Sequence, residues 1–368
     1  MTSVASKPIR ETTPLEEQPT NLRPVLDAIR PERYDNPTWR GMLGFGRDVV
    51  MYAALLWALA VVDAWWGVAI LWLLSSLVLS SLFSIGHDAA HRALFKSKRL
   101  NSIVGHLAML PSWHVYDAWI LGHNRIHHAH TCRQGMDFVW HPMTPAEYAA
   151  LPLWKRWRHR LEWSWAGTGP YYLREVWWNK MINFDPPANW ARGIRRDRLI
   201  IGAFILVTGA ACAAVGWSVY GSVAGATWMV VKVLIVPFLA VNFMIGWVVH
   251  LHHIAPDIRW WSRREWNKFR GQVEGTTVLR APFWMDFFLH RIFFHVAHHV
   301  DMRIPYYHLP DACADIEAAY PKSVVIRKLH LGDFLRNSRQ CKLYDFDAGR
   351  WFDYNQAREY LRDASATS

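Results

Sequence analysis

Four long apolar runs constrain this chain more than any other feature. They fall at about 47–62, 66–86, 199–217 and 224–249, and each approaches the roughly 20 residues that carry a helix across a bilayer core. Hydrocarbon offers the backbone no partners, so spans of this kind must be helices that satisfy their own hydrogen bonds. Only Asp63-Ala64-Trp65 separates the first two runs, and a short uncharged Gly/Ser-containing link separates the last two. Each pair therefore has to form a hairpin. The expectation is an all-α integral membrane protein with four transmembrane helices in two hairpins. A net charge of +11 in a soluble chain would point to nucleic acid, but 23 tryptophans beside four spans point to a membrane.

The positive charges give an orientation. Seven Lys/Arg residues lie up to Arg47, 16 lie between the second and third runs, 17 follow the fourth, and neither hairpin link carries one. Positive residues stay on the cytoplasmic side. Both termini and the two long polar segments are thus expected there, the segments forming a helical cap. Lys232 interrupts the fourth run, and a lysine in a span is costly unless it pairs or reaches an interface; an interfacial position is expected.

Residues 1–20 are polar and proline-containing, lack the apolar core of a signal peptide, and are expected to form a disordered tail. Residues 21–335 form the main domain, preceded in the membrane by short surface helices with Leu22, Leu26 and Ile29 on one face. Residues 336–368 are expected to be a cytoplasmic tail. The apolar segment 102–121 contains His106, Pro111, His114 and Asp117 and suits an interfacial or re-entrant helix. Between residues 154 and 180, Trp and Tyr interleave with Lys and Arg; next to spans this reads as an interfacial belt for anionic head groups, with no nucleic acid involved. The four scattered cysteines give no disulfide framework and fit a reducing compartment.

Three histidine packets stand in the cap segments. His87 and His91 are one helical turn apart, as are His123 and His127, with His128 beside them; His295, His298 and His299 form an i, i+3, i+4 triple. A buried imidazole has two nitrogens to satisfy, so eight in three packets are not there for packing. Imidazole suits Zn, Cu, Fe and Ni, and eight ligands exceed one coordination sphere, which makes two ions the natural count. The end of the fourth run adds His250-Leu251-His252-His253. Ionisable residues are nearly absent from the middle of the spans, which argues against a metal transporter.

In these motifs the chain resembles the integral-membrane fatty acid desaturases, nearest to the Δ12/ω-6 and ω-3 acyl-lipid branch. The three packets match the family's His-x(3–4)-His and two His-x(2–3)-His-His boxes, and the flanks Gly86, Arg92, Ala129-His130-Thr131 and Pro305-Tyr306-Tyr307-His308 match as well. The likeness covers about 20–335. It implies a di-iron centre (two iron ions) in the cap, O2 as co-substrate, an external ferredoxin or cytochrome b5-like electron donor, and a cis double bond placed in a lipid acyl chain. It also implies a ninth histidine from the last span. His250 is expected in that role with His252 close behind, so the expected metal ligands are His87, His91, His123, His127, His128, His250, His252, His295, His298 and His299. His253 has no family counterpart. His106, His114, His130, His141, His159, His290, His308 and His330 are expected outside the ligand set, with His308 nearest to it, and Asp88 is expected to orient a ligand ring or cap its helix. The alternative on the same scaffold is an alkane or fatty acyl hydroxylase, or a carotenoid ketolase or hydroxylase.

Overall fold

The computed structural model describes residues 18–366 and is mostly helical. Four helices are long and apolar enough to cross a membrane: Thr38–Val61, Trp65–Ala90, Ala188–Tyr220 and Val223–His253. They are spans one to four. Each overruns its apolar run, because polar ends such as Arg40 and Arg47 in span one continue the helix beyond the hydrocarbon. Spans two and four are the central pair, each 56% buried over its most apolar window, whereas spans one and three are 22% and 11% buried. The outer pair turns Leu43, Val50, Leu199, Leu206 and Val207 outward, the surface that lipid would cover. The inner pair carries the histidines.

Lys232 lies within a short π-helical stretch, Val231–Ile235, of span four. Its ammonium donates to the Val62 carbonyl at 3.2 Å, to Asp63 at 3.1 Å and to the Tyr220 hydroxyl at 3.3 Å. The lysine thus pairs at the hairpin end away from the histidines, and ties both hairpins together there. Hydrogen bonds from Tyr220 and Lys232 hold the Asp63 carboxyl below its usual range.

The segment expected to lie at the interface begins with the helix Lys98–Met109, capped by the Ser97 hydroxyl. It lays Ile103 and Leu107 outward and packs on span two. Gly86 makes the approach possible: a β-carbon there would sit 2.6 Å from Met109 Cγ. Gly246 does the same on span four, where a β-carbon would meet the Thr168 carbonyl oxygen at 2.3 Å. The aromatic and basic stretch forms the helix Leu153–Glu162, with Trp154 and Trp157 exposed.

Two small strand pairs interrupt the helical cap: Thr277–Arg280 runs parallel to Val325–Lys328, and Leu343–Asp345 antiparallel to Arg350–Phe352. The second pair belongs to the stretch from residue 336, expected as a tail. This stretch is instead folded onto the cap. Leu343, Phe352 and Ala357 enclose Tyr148, and His159 Nδ1 lies 2.8 Å from the Tyr354 hydroxyl. Its apolar residues are too sparse for a sequence pattern, and contact with 143–163 and with the segment after span four, around Ile258 and Trp260, buries them. At the other end, Val25 and Ile29 of the first short helix pack beneath the helix that carries the third packet. Residues 1–17 of the expected disordered tail lie outside the described residues; Gln18, just after them, is buried and donates to Glu274 at 2.8 Å.

Candidate metal centre

Spans two and four end in the cap at the same level, so the geometry of their last turns decides where the packets meet. His87 lies in the final turn of span two and His91 caps its C-terminus. The second packet is not α-helical: Ile120–His127 is a π-helix followed by the single turn His128–His130. Widening the turn to i→i+5 brings His123 and His128 together, their Nε2 atoms 3.1 Å apart. His127, expected beside His123, is thereby turned to a different side. The third packet is the short helix His295–Val300.

The imidazoles converge as two adjoining groups. In the first, one nitrogen from each of His87, His91, His123, His128 and His298 lies within 4.8 Å of all the others. In the second, the same holds for His127, His253 and His299. His295 joins the second group through a 3.1 Å Nε2–Nε2 approach to His299, and His252 stacks on His295 with ring centroids 3.8 Å apart. Packets two and three therefore each supply both groups, while packet one serves only the first.

His250 is not among them. It lies edge-on to Trp140 and Phe334, with ring centroids 4.8 and 5.4 Å away. On a helix two residues turn the chain by roughly 200°, so His250 and His252 face opposite ways. His253, which had no family counterpart, occupies the place expected of His250. The eight histidines expected outside the ligand set lie outside both groups. His308 is remote from them, its ring contacting Tyr307. His290 instead pairs with Asp48 at 2.6 Å.

Ring orientation is set by the nitrogens that point away from the centre. Asp88 bridges His87 Nδ1 at 3.3 Å and the Tyr306 backbone N–H at 2.8 Å, orienting a ring and anchoring a loop at once. Asp137 accepts from His127 Nδ1 at 3.0 Å and from the backbone N–H groups of Cys132 and Val139. Gln272 Oε1 accepts from His299 Nδ1 at 2.9 Å while its amide donates to the His128 carbonyl. His253 Nδ1 donates to the Gly275 carbonyl at 2.9 Å. Sequence reading missed Asp137, Gln272 and Gly275; the latter two lie more than 100 residues from the rings of packet two and meet the centre only through tertiary packing.

The donor set fits a pair of cations. Nε2 atoms face one another at 2.9 Å for His87 and His123 and at 3.3 Å for His87 and His91; a proton satisfies one such pair at a time, whereas a shared ion satisfies them together. The buried Nε2 atoms of His252, His253 and His298 have no hydrogen-bond partner, a costly state unless they bind something. Burial first, and neighbouring imidazoles second, hold His91, His123, His128, His295, His298 and His299 well below the usual histidine pKa. The rings are neutral, which is the form that ligates a metal. Burial works to raise Asp137, but the charge and hydrogen bond of His127 outweigh it and keep the carboxyl below its ordinary value.

A narrow cavity of about 70 Å³ opens beside the imidazoles, between spans two and four. Five rings, those of His87, His123, His127, His252 and His295, form part of its wall. The remaining wall is mostly apolar, including Phe83, Trp119, Tyr172, Val176, Met181, Ile245, Val248, Leu289 and Ile292.

Comparison with known proteins agrees with this geometry. Residues 63–329 match the family model described as fatty acid desaturase. The sn-1 oleoyl-lipid 12-desaturase of Picosynechococcus sp. is 30% identical over 354 residues, covering 94% of this chain and 96% of that protein. The chloroplastic omega-6 fatty acid desaturase of Arabidopsis thaliana is 28% identical over 83% of this chain and 66% of its own length. The sn-1 acyl-lipid omega-3 desaturase (ferredoxin) of Nostoc sp. is 27% identical, covering 85% of this chain and 84% of that protein.

Proposed function

The chain belongs to the fatty acid desaturase family, and from that premise we propose that it places a cis double bond in the acyl chain of a membrane lipid, with O2 as oxidant and a di-iron centre as cofactor. The relatives named as 12- and omega-3 desaturases favour the Δ12/ω-6 or ω-3 type. The observation that carries the reading is the mostly apolar cavity whose wall includes five imidazoles. A saturated methylene has no polar handle, so a protein can select it only by shape, holding the chain against a reactive centre.

His87, His91, His123, His128 and His298 would hold one ion, and His127, His253 and His299, with His295 and His252 adjacent, the other. Two irons held this way supply O2 activation and hydrogen removal. The chain's own residues do the rest. Asp88, Asp137 and Gln272 fix ring orientation and tautomer, and a partner on the second nitrogen raises ligand basicity. Phe83, Trp119, Val176 and Ile245 exclude water and confine the acyl chain, so that neighbouring C–H bonds are presented in register. The overall balance is two C–H bonds broken, one carbon–carbon π bond formed, and O2 reduced to two waters by two electrons from the chain and two from outside. The ferredoxin in the Nostoc relative's name supports a donor of that kind. The charge distribution supports a multi-pass protein with both termini and the centre on the cytoplasmic side.

The test is gas chromatography–mass spectrometry of total fatty acids from a host expressing the protein, beside a His127→Ala/His128→Ala control. New dienoic or trienoic acids absent from the control are expected, and their fragmentation places the double bond. Hydroxylated or keto products would move the reading to the alternative oxygenases.

A further inference from the structure

The reaction proposed above needs two electrons per turnover from outside the chain, and the centre approaches the protein surface differently on its two sides. Towards the cavity, five imidazoles face an apolar wall. On another side, His91 forms part of an open depression of about 610 Å³ whose other walls are Tyr34, Asn36, Arg92, Phe95, Lys96 and Arg303. His91 is itself 5% exposed and its Nε2 lies 3.3 Å from His87 Nε2, within the first group. This depression leads from the surface to a ligand ring without crossing the acyl cavity.

The rim carries charge of one sign. Arg92, Lys96, Lys98 and Arg99 follow His91 within eight residues, and no Asp or Glu occurs from residue 89 to 116. All four are exposed, and none forms an ion pair among the described residues. Of the acidic residues close by, Asp88 is engaged by His87 and Tyr306, and Asp301 by Arg303, itself a wall of the depression, at 2.6 Å. Arg92 is held at φ 61, a left-handed conformation unusual for a side chain of its size, which fixes the first cation next to the ligand. The basic stretch around Arg158 and Arg174, one of several in the cap, differs. Arg158 and Arg174 meet Glu162, and Arg174 and Lys180 meet Glu175, so much of its charge is already paired.

We propose that this depression is the docking site of the electron donor, a small acidic one-electron carrier protein of the ferredoxin class, which seats over His91 and passes single electrons to the first group through that ring. The inference rests on the desaturase reading and adds to it the surface and the path. Clustered unpaired cations steer an acidic partner and speed encounter, an effect that salt weakens. Two successive dockings deliver the two electrons, and the donor leaves oxidised each time.

The test uses full-length, iron-loaded protein in nanodiscs and reduced plant-type ferredoxin. Lys96→Glu/Lys98→Glu reverses two rim charges that make no structural pair, and Glu at the first turn of the 98–109 helix suits its dipole. Lys155→Glu/Arg158→Glu reverses the rival stretch. The expected result is ferredoxin binding, measured by surface plasmon resonance, weakened at least tenfold in the first variant with a shallower salt dependence, and changed less than threefold in the second. Turnover with a chemical reductant should be unchanged in the first variant. Unchanged ferredoxin binding in the first variant would overturn the proposal, as would binding lost only in the second. So would retained ferredoxin affinity with lost affinity for anionic vesicles, which would make the rim a lipid contact. Binding judges the docking site and product formation with the chemical reductant judges the desaturase reading, so the two fail separately.

Discussion

The two imidazole groups lie side by side, yet they are supported by different means. In the second, the three converging rings are tied through their outward nitrogens, His127 to Asp137, His299 to Gln272 and His253 to the Gly275 carbonyl, whereas Nδ1 of the adjoining His295 has no partner. In the first, only His87 has a carboxylate, at 3.3 Å. His91 Nδ1 and His128 Nδ1 have no partner, and His123 is held by stacking on Trp119 with centroids 4.5 Å apart. Hydrogen bonds fix a ring's rotation and tautomer, whereas packing fixes chiefly its position. Both groups line the acyl cavity, the first through His87 and His123 and the second through His127, but only the packed group also reaches the basic depression, through His91. The difference points to a division of labour: an anchored group that keeps its geometry, and a packed group open on the side where electrons arrive.

Five measurements break or sharpen this comparison. His298→Ala removes the one ring that packet three gives to the first group, and should abolish desaturation while the protein still inserts, because the residue lies outside the spans; iron content per chain and fatty acid profile check it. Full activity in that variant would refute the ligand assignment. Asp137→Asn strikes the anchored group at its only carboxylate and should cost about 10–100-fold in metal affinity or activity. Asp88→Asn, acting on a longer contact in a group otherwise held by packing, should cost less than Asp137→Asn; equal losses would erase the distinction.

Acid gives a smaller, graded effect. The six rings whose pKa is depressed stay neutral in the folded protein, while in the unfolded chain they protonate near 6.5. Below that pH the unfolded state binds more protons, so the stability of metal-free protein should fall as pH drops. Thermal midpoints from pH 8 to 5.5 test the sign. The smallest effect is expected of His250→Phe, which should leave iron content unchanged because the ring lies between Trp140 and Phe334.

Much of this was open to reading in the chain itself. Four apolar runs with links of a few residues allow only two hairpins, and the absence of Lys and Arg from those links fixes their common side. Three packets of neighbouring histidines point to metal, because few other partners satisfy so many buried imidazoles. What the sequence left undecided depended on the phase of a helix or on contacts between distant segments. α-Helical spacing puts His123 with His127, but the π-helix at Ile120–His127 pairs His123 with His128 and sends His127 to the other group. The choice among His250, His252 and His253 turns on the rotation of span four about its axis, which packing at Gly246 decides. Asp137, Gln272 and Gly275 are ordinary residues in sequence and become ring anchors only where folding delivers them. Apolarity and ligand chemistry are properties of residues and can be read one at a time. Orientation around a shared centre is a property of the assembled helices, and tertiary structure alone decides it.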